Sequence, residues 1–564
     1  MLGSCQTAVA VSWRRGLAQQ HDHHQEKILI PDYFRHTLSI PRKSLPHLIL
    51  EKMEAVEPSK MALECSMTGV KLTYGDALKQ IHATAGWLAE KGLKNGDTML
   101  INAPNIPHYA VWFHGALLAN GIVSPASPML TLEELVTQLV DSNSKFIVTC
   151  PMLAEVSLEA AHAVGIPRER VIIHGGEASG PSPNHAAVFS HPGKELPPFQ
   201  RDLFQDIAVL PYSSGTTGKS KGVMLSHHNL VANLLQTCHA EKPTPWMIGI
   251  LPFYHIYGLM LLLNYSLYNG VSTAVMPKFD LPVFLETMQR YRIETAHLVP
   301  PIILALAKHP LVANYDLSCL KMIFSGAAPL GREVQQAVEA RLGCRTKQAW
   351  GMSELSPAAT VTPTDNIKIG SSGPLLPNTL GRVVALDGDG APLHDCPAGK
   401  EGEIWIKGPQ VMLGYLNRPE ATKETLTSAG WLRTGDTGYY DEQGYVYITD
   451  RIKEFLKYKG HQVAPAELEA VLLSHPQVAD CCVVGSPSEE AGELPKAFVV
   501  LQANVTPSDD LGKEIIAHVS KHVAPYKKLH LIEFIQAIPK SPAGKILRRV
   551  LRAQERETAK GLKV

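Results

Sequence analysis

Residues 212–223 read YSSGTTGKSKGV and combine the residue types that hold phosphate. The stretch contains three glycines, five serine or threonine hydroxyls and two lysines, and apolar runs lie on both sides. Gly215 and Gly218 can adopt positive φ angles that turn successive backbone N–H groups towards one point. The other groups expected to face an anion are Ser213, Ser214, Thr216, Thr217 and Lys221. The composition predicts a phosphate-binding loop, and a Gly/Ser/Thr surface loop is the alternative.

A strand, rather than a helix, is predicted to follow this loop. Residues 207–210 form an apolar run before it, residues 222–225 read GVML, and Ser226 is placed to cap a helix. A Walker A loop has the spacing G-x-x-x-x-G-K-[ST] and ends at a helix N-terminus. Residues 215–220 give G-x-x-G-K-S, which is two residues shorter. We therefore reject a P-loop ATPase or kinase.

The elements around the loop predict an α/β architecture. With 564 residues the chain is too long for one hydrophobic core and predicts two to four folding units. A helical pattern over 74–91 is followed by apolar strand patterns at 98–101 and 146–148. This alternation is typical of layered α/β domains. Residues 183–199, rich in Pro, Ser and His, are interpreted as a surface loop.

Composition excludes several classes of partner. Fifty-three basic residues balance 53 acidic ones, so no overall field attracts nucleic acid or an anionic membrane. The apolar runs are shorter than the roughly 18 residues that a membrane span needs. Nine cysteines occur without a CxxC pair, which indicates free thiols in a reducing compartment. We expect a soluble protein whose partners are recognised at local sites.

Residues 1–25 are predicted to form a flexible N-terminal extension. Arg14, Arg15 and several hydroxyls precede the first acidic residue, Asp22, which is typical of a mitochondrial presequence. An untargeted tail is the alternative. The C-terminal residues GLKV do not match a peroxisomal S-K-L signal. Cytoplasm and mitochondrion both remain open.

Further motifs, in order, show a resemblance that covers residues 28–552. The chain resembles the adenylate-forming enzymes, which include acyl-CoA synthetases, 4-coumarate:CoA ligase and firefly luciferase. The motifs are YSSGTTGKSKGV at 212–223, LPFYHIY at 251–257, SGAAPL at 325–330, QAWGMSE at 348–354, WLRTGD at 431–436, DRIKE at 450–454 and PKSPAGK at 539–545.

The resemblance implies a particular division of the chain. It predicts a large N-terminal AMP-binding domain over 26–452, made of layered α/β subdomains and a β-barrel-like piece. A small mobile α+β lid domain over 453–564 follows, with the hinge at Lys453. A hundred residues are enough for such a small independent core.

The resemblance also implies the ATP site. Trp350 stands where the family often has tyrosine, and Ser353 where it has threonine; an indole still offers a flat π surface and serine still offers a hydroxyl. Asp436 is implied to accept from the ribose hydroxyls. The full implied set is Ser213, Ser214, Gly215, Thr216, Thr217, Gly218, Lys221, Gly326, Ala327, Gln348, Trp350, Gly351, Ser353, Asp436, Arg451 and Lys453.

Four residues are implied to be catalytic: Lys545, His255, Glu354 and Lys457. Lys545 matches the lysine that bridges the carboxylate and the α-phosphate, and Glu354 matches the ligand of Mg²⁺. Without the resemblance, His255 would be interpreted as a packed core histidine and Glu354 as a solvated carboxylate. Coenzyme A is implied to contact Lys278, Lys459 and Gly460.

The implied reaction joins a small carboxylic acid to coenzyme A through an acyl-adenylate, in a monomer or homodimer. The implied acid pocket comprises Tyr257, Leu261, Gly326 and Ala349. Leu261 and Ala349 make its wall more apolar than in coumarate ligases, which favours a fatty or other apolar acid. The alternatives are a hydroxycinnamate, transfer to a carrier protein, luciferase-like oxidation, and a binding protein that retains the fold without turnover.

Overall fold

The computed structural model describes residues 28–561 except 36, 177–181, 194–195, 197, 214–219, 388–389, 460, 489 and 542–543. The predicted N-terminal extension, 1–25, lies outside the described residues. Five predicted loop residues, Ser214, Gly215, Thr216, Thr217 and Gly218, and also Gly460, lie outside them as well.

The predicted phosphate-binding loop connects strands Tyr212–Ser213 and Lys221–Ser226 of an eight-stranded sheet with a parallel centre. Strands Lys221–Ser226 and Gly414–Tyr415 add to it in antiparallel direction. In spatial order its strands are Gly414–Tyr415, Lys221–Ser226, Ile207–Val209, Ile122–Ala126, Thr98–Asn102, Ser144–Thr149 and Val171–Ile173, and Tyr212–Ser213 pairs with Lys221–Ser226. Helices cover this sheet, as expected when parallel strands are buried on both faces.

Two smaller mixed sheets complete the layered part of the large domain. The first contains Trp246–Gly249, Ser272–Val275, Met61–Cys65 and Lys71–Thr73. The second contains Thr295–Leu298, Met322–Ser325, Arg345–Gly351 and Ala358–Val361, of which the first three are parallel. Parallel strands carry their C-terminal turns to one edge, where ligands bind in open α/β sheets.

The β-barrel-like piece is a six-stranded antiparallel sheet. Its strands in spatial order are Gly373–Pro374, Tyr445–Arg451, Leu432–Tyr440, Gly402–Lys407, Leu380–Leu386 and Pro392–Asp395. Strands Leu432–Tyr440 and Tyr445–Arg451 pair so that Asp436 lies opposite Arg451. This register places two predicted site residues side by side.

The small C-terminal domain is α+β. Its five-stranded sheet contains His461–Val463, Leu456–Tyr458, Gly492–Leu501, Val478–Ser488 and Leu531–Phe534. Its helices are Pro465–Ser474, Asp509–His522 and Arg548–Gly561. One hydrophobic core is built only from buried residues of this part of the chain, the first of which is Leu456 and the last Leu529. That separation supports the predicted boundary at 453, which stays a prediction.

The α-helices of the large domain pack on the two layered sheets and around the loop-bearing sheet. They are Leu45–Glu54, Tyr74–Glu90, Tyr109–Leu118, Leu132–Asp141, Ala154–Ala163, His185–Phe189, His227–Ala240, Tyr265–Tyr268, Leu281–Arg290, Pro300–Lys308, Arg332–Leu342 and Pro419–Thr425. Residues Gly258–Asn264 form a π-helix. Within the described ranges, no helix combines the length and apolar character needed to cross a membrane.

The local sequence signals predicted several of these elements. The helix expected over 74–91 is Tyr74–Glu90, and Thr73 caps it by accepting from the Asp76 backbone N–H. Ser226 caps His227–Ala240 in a capping box with Asn229. The interpretation of 183–199 as a loop was wrong in part, because Asn184 caps a short helix, His185–Phe189.

A buried ion pair ties strand Arg345–Gly351 to the end of helix His227–Ala240. The Lys347 side chain is fully buried, Glu241 is 6% exposed, and the two are paired. Lys347 Nζ also donates to Thr364 Oγ1 at 2.9 Å. Glu241 follows a helix C-terminus, where a negative charge is unfavourable. The positive charge of Lys347 therefore offsets both the cost of burying the Glu241 carboxylate and its repulsion by the helix dipole.

Replacing one member of this pair should be strongly destabilising. We expect Lys347→Met to lower the free energy of unfolding by about 3–5 kcal/mol, because Glu241 then remains buried without its partner. Denaturant unfolding followed by tryptophan fluorescence measures the change. The double variant Lys347→Met/Glu241→Leu should recover most of the loss, and equal loss in both variants would contradict the explanation. Lys321→Met, which breaks the exposed Lys321–Glu294 pair, is the matched control and should change stability by less than about 1 kcal/mol.

Candidate active site

The two ends of the phosphate-binding loop are held together by strand pairing. Ser213 pairs with Lys221 in antiparallel register. The neighbouring Tyr212 donates its hydroxyl to Asp141 Oδ2 at 2.8 Å, which anchors the strand before the loop to the C-terminal end of helix Leu132–Asp141. The loop is thus closed by a strand on each side, as the sequence predicted.

Glu354, the predicted metal ligand, lies beside the end of this loop. Glu354 is the middle residue of the short 3₁₀ helix Ser353–Leu355, and it is 5% exposed. Tyr415 donates its hydroxyl to Glu354 Oε1 at 2.8 Å, and Lys221 Nζ lies 5.0 Å from the centre of the Tyr415 ring. Tyr415 therefore connects the loop lysine to the carboxylate. Ser353, at the start of the same 3₁₀ helix, is 8% exposed.

Asp436 is the centre of a second cluster. It is 4% exposed and accepts from Trp350 Nε1 through Oδ2 at 2.8 Å. Its other oxygen, Oδ1, lies 3.2 Å from Arg451 Nε. Three predicted residues from two different sheets thus meet. The indole and guanidinium fix the direction in which the carboxylate faces.

The turn after strand Met322–Ser325 is shaped by small residues. A β-carbon on Gly326 would lie 2.7 Å from Tyr257 Cε1, so only glycine allows the Tyr257 ring to lie there. Ala327 has φ +69°, a conformation that costs a non-glycine residue about 1–2 kcal/mol. Such strain is typical of functional sites. The Gln348 amide accepts from Leu330 N at 3.1 Å and so holds the end of this turn.

Gly351 lies at the end of strand Arg345–Gly351, where a side chain cannot fit. A β-carbon there would lie 2.0 Å from the carbonyl oxygen of Pro357. The close backbone approach fixes the position of Trp350 relative to the turn that carries Ser353 and Glu354.

Lys545 reaches into the same region from the small domain. Its loop is closed by an isolated bridge between Lys540 and Ile546 and by a hydrogen bond from Lys545 N to Ser541 Oγ at 3.2 Å. Burial, assisted by the nearby Arg451, lowers the pKa of Lys545 to about 8, although the carboxylates of Asp436, Glu454 and Glu354 act in the opposite direction. A partly desolvated cation therefore faces both clusters.

His255 lies within the electrostatic influence of Lys545. Burial, and secondarily Lys545, lowers the pKa of His255 to about 4, so the ring is neutral at pH 7. The Tyr257 backbone N–H donates to His255 Nδ1 at 3.3 Å. The proton of the neutral ring is therefore on Nε2, which leaves a hydrogen-bond donor for a ligand.

Tyr257 and Leu261 lie deeper, in the hydrophobic core. They are 8% and 3% exposed, and Leu261 belongs to the apolar π-helix Gly258–Asn264. The Tyr257 hydroxyl lies 3.3 Å from Nδ1 of His297, whose ring stacks on Phe324 at a centroid distance of 4.3 Å. Burial lowers the pKa of His297 to about 3 and keeps it neutral. Tyr257, a predicted acid-pocket residue, thus forms a buried polar pair with His297, and neither Tyr257 nor Leu261 lines the cavity between the domains.

A cavity of about 380 Å³ lies between the two domains and collects much of the predicted site. The predicted residues that line it are Ala327, Gln348, Ala349, Trp350, Gly351, Asp436, Arg451 and Lys545. Four predicted lysines are exposed and do not line this cavity: Lys278, Lys453, Lys457 and Lys459. Lys459 instead pairs with Glu490 at 3.8 Å.

Sequence reasoning missed Tyr415 and His297. Tyr415 reaches Glu354 because strand Gly414–Tyr415 pairs with Lys221–Ser226, nearly two hundred residues earlier in the chain. His297 is in the strand Thr295–Leu298 and looks like a core residue in an apolar run. Neither position carries a local signal, so only the tertiary contact reveals it.

Comparison with known proteins agrees with this geometry. Residues 50–416 match the family of AMP-binding enzymes, and residues 467–545 match the AMP-binding enzyme C-terminal domain. Over 533 residues the chain is 40% identical to a probable 4-coumarate–CoA ligase 2 of Dictyostelium discoideum, covering 91% of this chain and 95% of the relative.

Two further similarities point the same way. The 4-coumarate–CoA ligase 2 of Petroselinum crispum is 39% identical over 507 residues, which cover 88% of this chain and 91% of that protein. The crystal structure of ATP-bound MatB from Rhodopseudomonas palustris superimposes with a TM-score of 0.81 at 28% identity, covering 91% of this chain and 99% of MatB. The match extends over both domains.

The lowered pKa of Lys545 predicts an unusual pH dependence of its reactivity. The ammonium loses its proton as pH rises through about 8, and only the neutral amine reacts with an acylating reagent. The acylation rate of Lys545 should therefore reach half its maximum near pH 8, whereas an exposed lysine has a pKa of about 10.4. Brief labelling at a series of pH values, followed by peptide mass spectrometry, measures the midpoint. Arg451→Gln should raise it and Asp436→Asn should lower it. A midpoint equal to that of exposed lysines would contradict the prediction.

Proposed function

Because the chain belongs to the family of AMP-binding enzymes, and is an acid–thiol ligase that forms an acyl-adenylate, we propose that it activates a fatty or other apolar carboxylic acid. Its substrates are that acid, ATP and coenzyme A, and it uses Mg²⁺. The observation that carries the proposed mechanism is the convergence of Lys545, Asp436 and Arg451 on one cavity beside Trp350.

The first half-reaction joins two anions. A carboxylate oxygen attacks the α-phosphorus of ATP, the bond to the β-phosphate oxygen breaks, and pyrophosphate leaves. Lys545, which enters the cavity from the small domain, offsets the repulsion and stabilises the charge on the α-phosphate. The loop bounded by Ser213 and Lys221 holds the pyrophosphate. His255, neutral and protonated on Nε2, donates to an oxygen of the reacting groups.

The nucleoside is assigned to the Asp436 cluster and the small-residue turn. The adenine stacks on Trp350 and lies along the backbone of Gly326 and Ala327. Asp436 accepts from the ribose hydroxyls, and Arg451 both orients Asp436 and donates to the nucleotide. Gln348 acts indirectly, because its amide supports the turn at Leu330.

The residues present fit the Mg²⁺ that this class of enzyme uses. Mg²⁺ is bound through one or two carboxylates together with phosphate oxygens and water. Glu354 is a nearly buried carboxylate, oriented by Tyr415, whose charge acts on Lys545. In the described ranges no group of three or more His, Cys, Asp or Glu side chains forms an all-protein metal site. Glu354 would hold the ion, which would neutralise phosphate charge.

The second half-reaction needs a different arrangement. The sulfur of coenzyme A must attack the carbonyl carbon of the adenylate, with loss of its proton and departure of AMP, and Lys545 occupies that approach. We propose that the small domain turns about Lys453, withdraws Lys545 and presents Lys457, Lys459 and Gly460 to coenzyme A. Lys278, exposed on the large domain, contributes a further positive charge to the same ligand.

Replacing Lys545 should separate the two half-reactions. We expect Lys545→Ala to reduce acid-dependent exchange of pyrophosphate into ATP by about 10²–10³-fold, the usual loss for one preorganised charge-stabilising donor. Thioester formation from a supplied acyl-adenylate should stay close to wild type. Lys540→Ala is the matched control, because Lys540 lies in the same loop but pairs with Asp480 at 2.6 Å. Equal loss of both half-reactions in Lys545→Ala would contradict the two-arrangement mechanism.

The apolar character of the pocket supports the choice of acid. Leu261 and Met260 are almost fully buried in the π-helix behind Tyr257, and Ala349 narrows the cavity beside Trp350. Such walls stabilise an aliphatic or aromatic chain through burial of apolar surface. Apolar side chains of this kind cannot compensate the charge of a second carboxylate.

A hydroxycinnamate is the second candidate. The named relatives of Dictyostelium discoideum and Petroselinum crispum are 4-coumarate ligases. The Tyr257–His297 pair supplies polar groups that a phenolic hydroxyl could contact. A site that hydrogen-bonds a hydroxyl discriminates far more strongly than an apolar wall does.

A panel of acids separates the two candidates. With a fatty acid as substrate, kcat/KM for pyrophosphate release should rise about fourfold for each added methylene until the pocket is full. His297→Leu should leave this series unchanged or improved. A best rate with 4-hydroxycinnamate, lost selectively in His297→Leu while cinnamate without the hydroxyl is retained, would contradict the proposal and establish the second candidate.

A further inference from the structure

Helix Pro465–Ser474 is one of the parts of the small domain that dock on the large domain. Leu473, near its C-terminus, packs against the hydrophobic cores of both domains. Ala470 lies in the middle of the helix and faces Gly331 of the large domain. A β-carbon placed on Gly331 would lie 3.6 Å from the β-carbon of Ala470, so the large-domain backbone approaches the helix closely. This helix therefore contributes to the orientation of the small domain.

A large-domain carboxylate supports the N-terminus of this helix. The N-cap residue is Ala464, whose side chain cannot accept a hydrogen bond, and Pro465 has no N–H. Asp450 Oδ2 accepts from the Ala466 backbone N–H at 3.1 Å, which satisfies one of the open N-terminal donors. Asp450 precedes the predicted hinge at Lys453 by only three residues. This contact is therefore close to the predicted pivot.

A large-domain lysine binds the other end of the same helix. Lys308, the last residue of helix Pro300–Lys308, donates from Nζ to the carbonyl oxygens of Leu473 and Val478, both at 3.2 Å. A cation is favourable at a helix C-terminus, where the carbonyl groups have no partners within the helix. Burial of the ammonium lowers the pKa of Lys308, as expected for a group partly removed from water at a domain interface.

The two contacts differ in their distance from the hinge. The docking helix has ten residues and is therefore about 15 Å long. Asp450 lies at the end next to the hinge and Lys308 at the far end. Rotation about Lys453 thus displaces the partners of Lys308 by a much larger distance, and its two hydrogen bonds must break.

We propose that Lys308 is a positioning residue that latches the small domain in the orientation that brings Lys545 into the cavity. The inference rests on the proposed function, because it assigns this orientation to the first half-reaction. Lys308 touches neither substrate nor any reacting atom. It acts by favouring one domain orientation over the other, so its removal favours the second half-reaction at the expense of the first.

The test uses the full-length variant Lys308→Met. We expect acid-dependent pyrophosphate exchange to fall about three- to tenfold, in keeping with the loss of hydrogen bonds to a charged group at a partly exposed rim. Thioester formation from a supplied acyl-adenylate should be unchanged or faster. Lys308→Arg, which keeps the donors, should restore exchange. Lys321→Met, whose exposed ion pair with Glu294 lies within the large domain, is the matched control and should resemble wild type.

A second readout needs no turnover. In Lys308→Met the midpoint for acylation of Lys545 should move upward from about 8, because Lys545 spends more time outside the buried cavity. The latch would be overturned if Lys308→Met slowed both half-reactions by the same factor. It would also be overturned if neither the ratio of the two half-reaction rates nor the pH midpoint for acylation of Lys545 changed. Failure of the wild-type protein to exchange pyrophosphate with any acid would instead overturn the proposed function, and the labelling midpoint would still decide whether Lys308 holds the domain.

Discussion

Repulsion between a carboxylate and a triphosphate is the constraint around which this protein is arranged. The cation proposed to offset it, Lys545, is on a different domain from the predicted phosphate-binding loop. Burial and Arg451 work against its charge, while Asp436, Glu454 and Glu354 work in its favour. With a pKa of about 8, the ammonium is largely protonated at pH 7 and loses its proton just above neutral pH. Its charge is therefore sensitive to anything that changes the domain orientation.

The architecture supplies this balance from distant parts of the chain. Asp436 and Arg451 meet because two antiparallel strands pair in one register, and Trp350 joins them from the end of a strand in another sheet. Glu354 is connected to Lys221 through Tyr415. Lys545 belongs to the small domain, so it lies beside these clusters only while the small domain is docked on the large one. Domain orientation and the charge of Lys545 therefore depend on each other, and the proposed latch at Lys308 would act on both.

Local sequence signals predicted what local physics determines. Ser226 caps a helix wherever the chain lies, and the glycine spacing at 215–218 is enough by itself to exclude a Walker A loop. The family resemblance added the order of the motifs and hence the predicted roles of Asp436 and Lys545. The contacts of Tyr415, His297 and Lys308 could not be predicted in this way. Each depends on a partner forty or more residues away, and tyrosine, histidine or lysine alone carries no signal for such a contact.

The same distinction explains why ATP is easier to infer from the sequence than the acid. Phosphate is recognised by glycines, hydroxyls and lysines at short spacing, which a sequence displays directly. An apolar acid is recognised by walls that differ little from a hydrophobic core, and each methylene changes the binding free energy by only about 0.8 kcal/mol. A buried polar pair discriminates far more strongly, because the wrong acid leaves it without a partner. In this protein Tyr257 and His297 form such a buried polar pair, and the proposed acid site assigns selectivity for or against a hydroxyl to it.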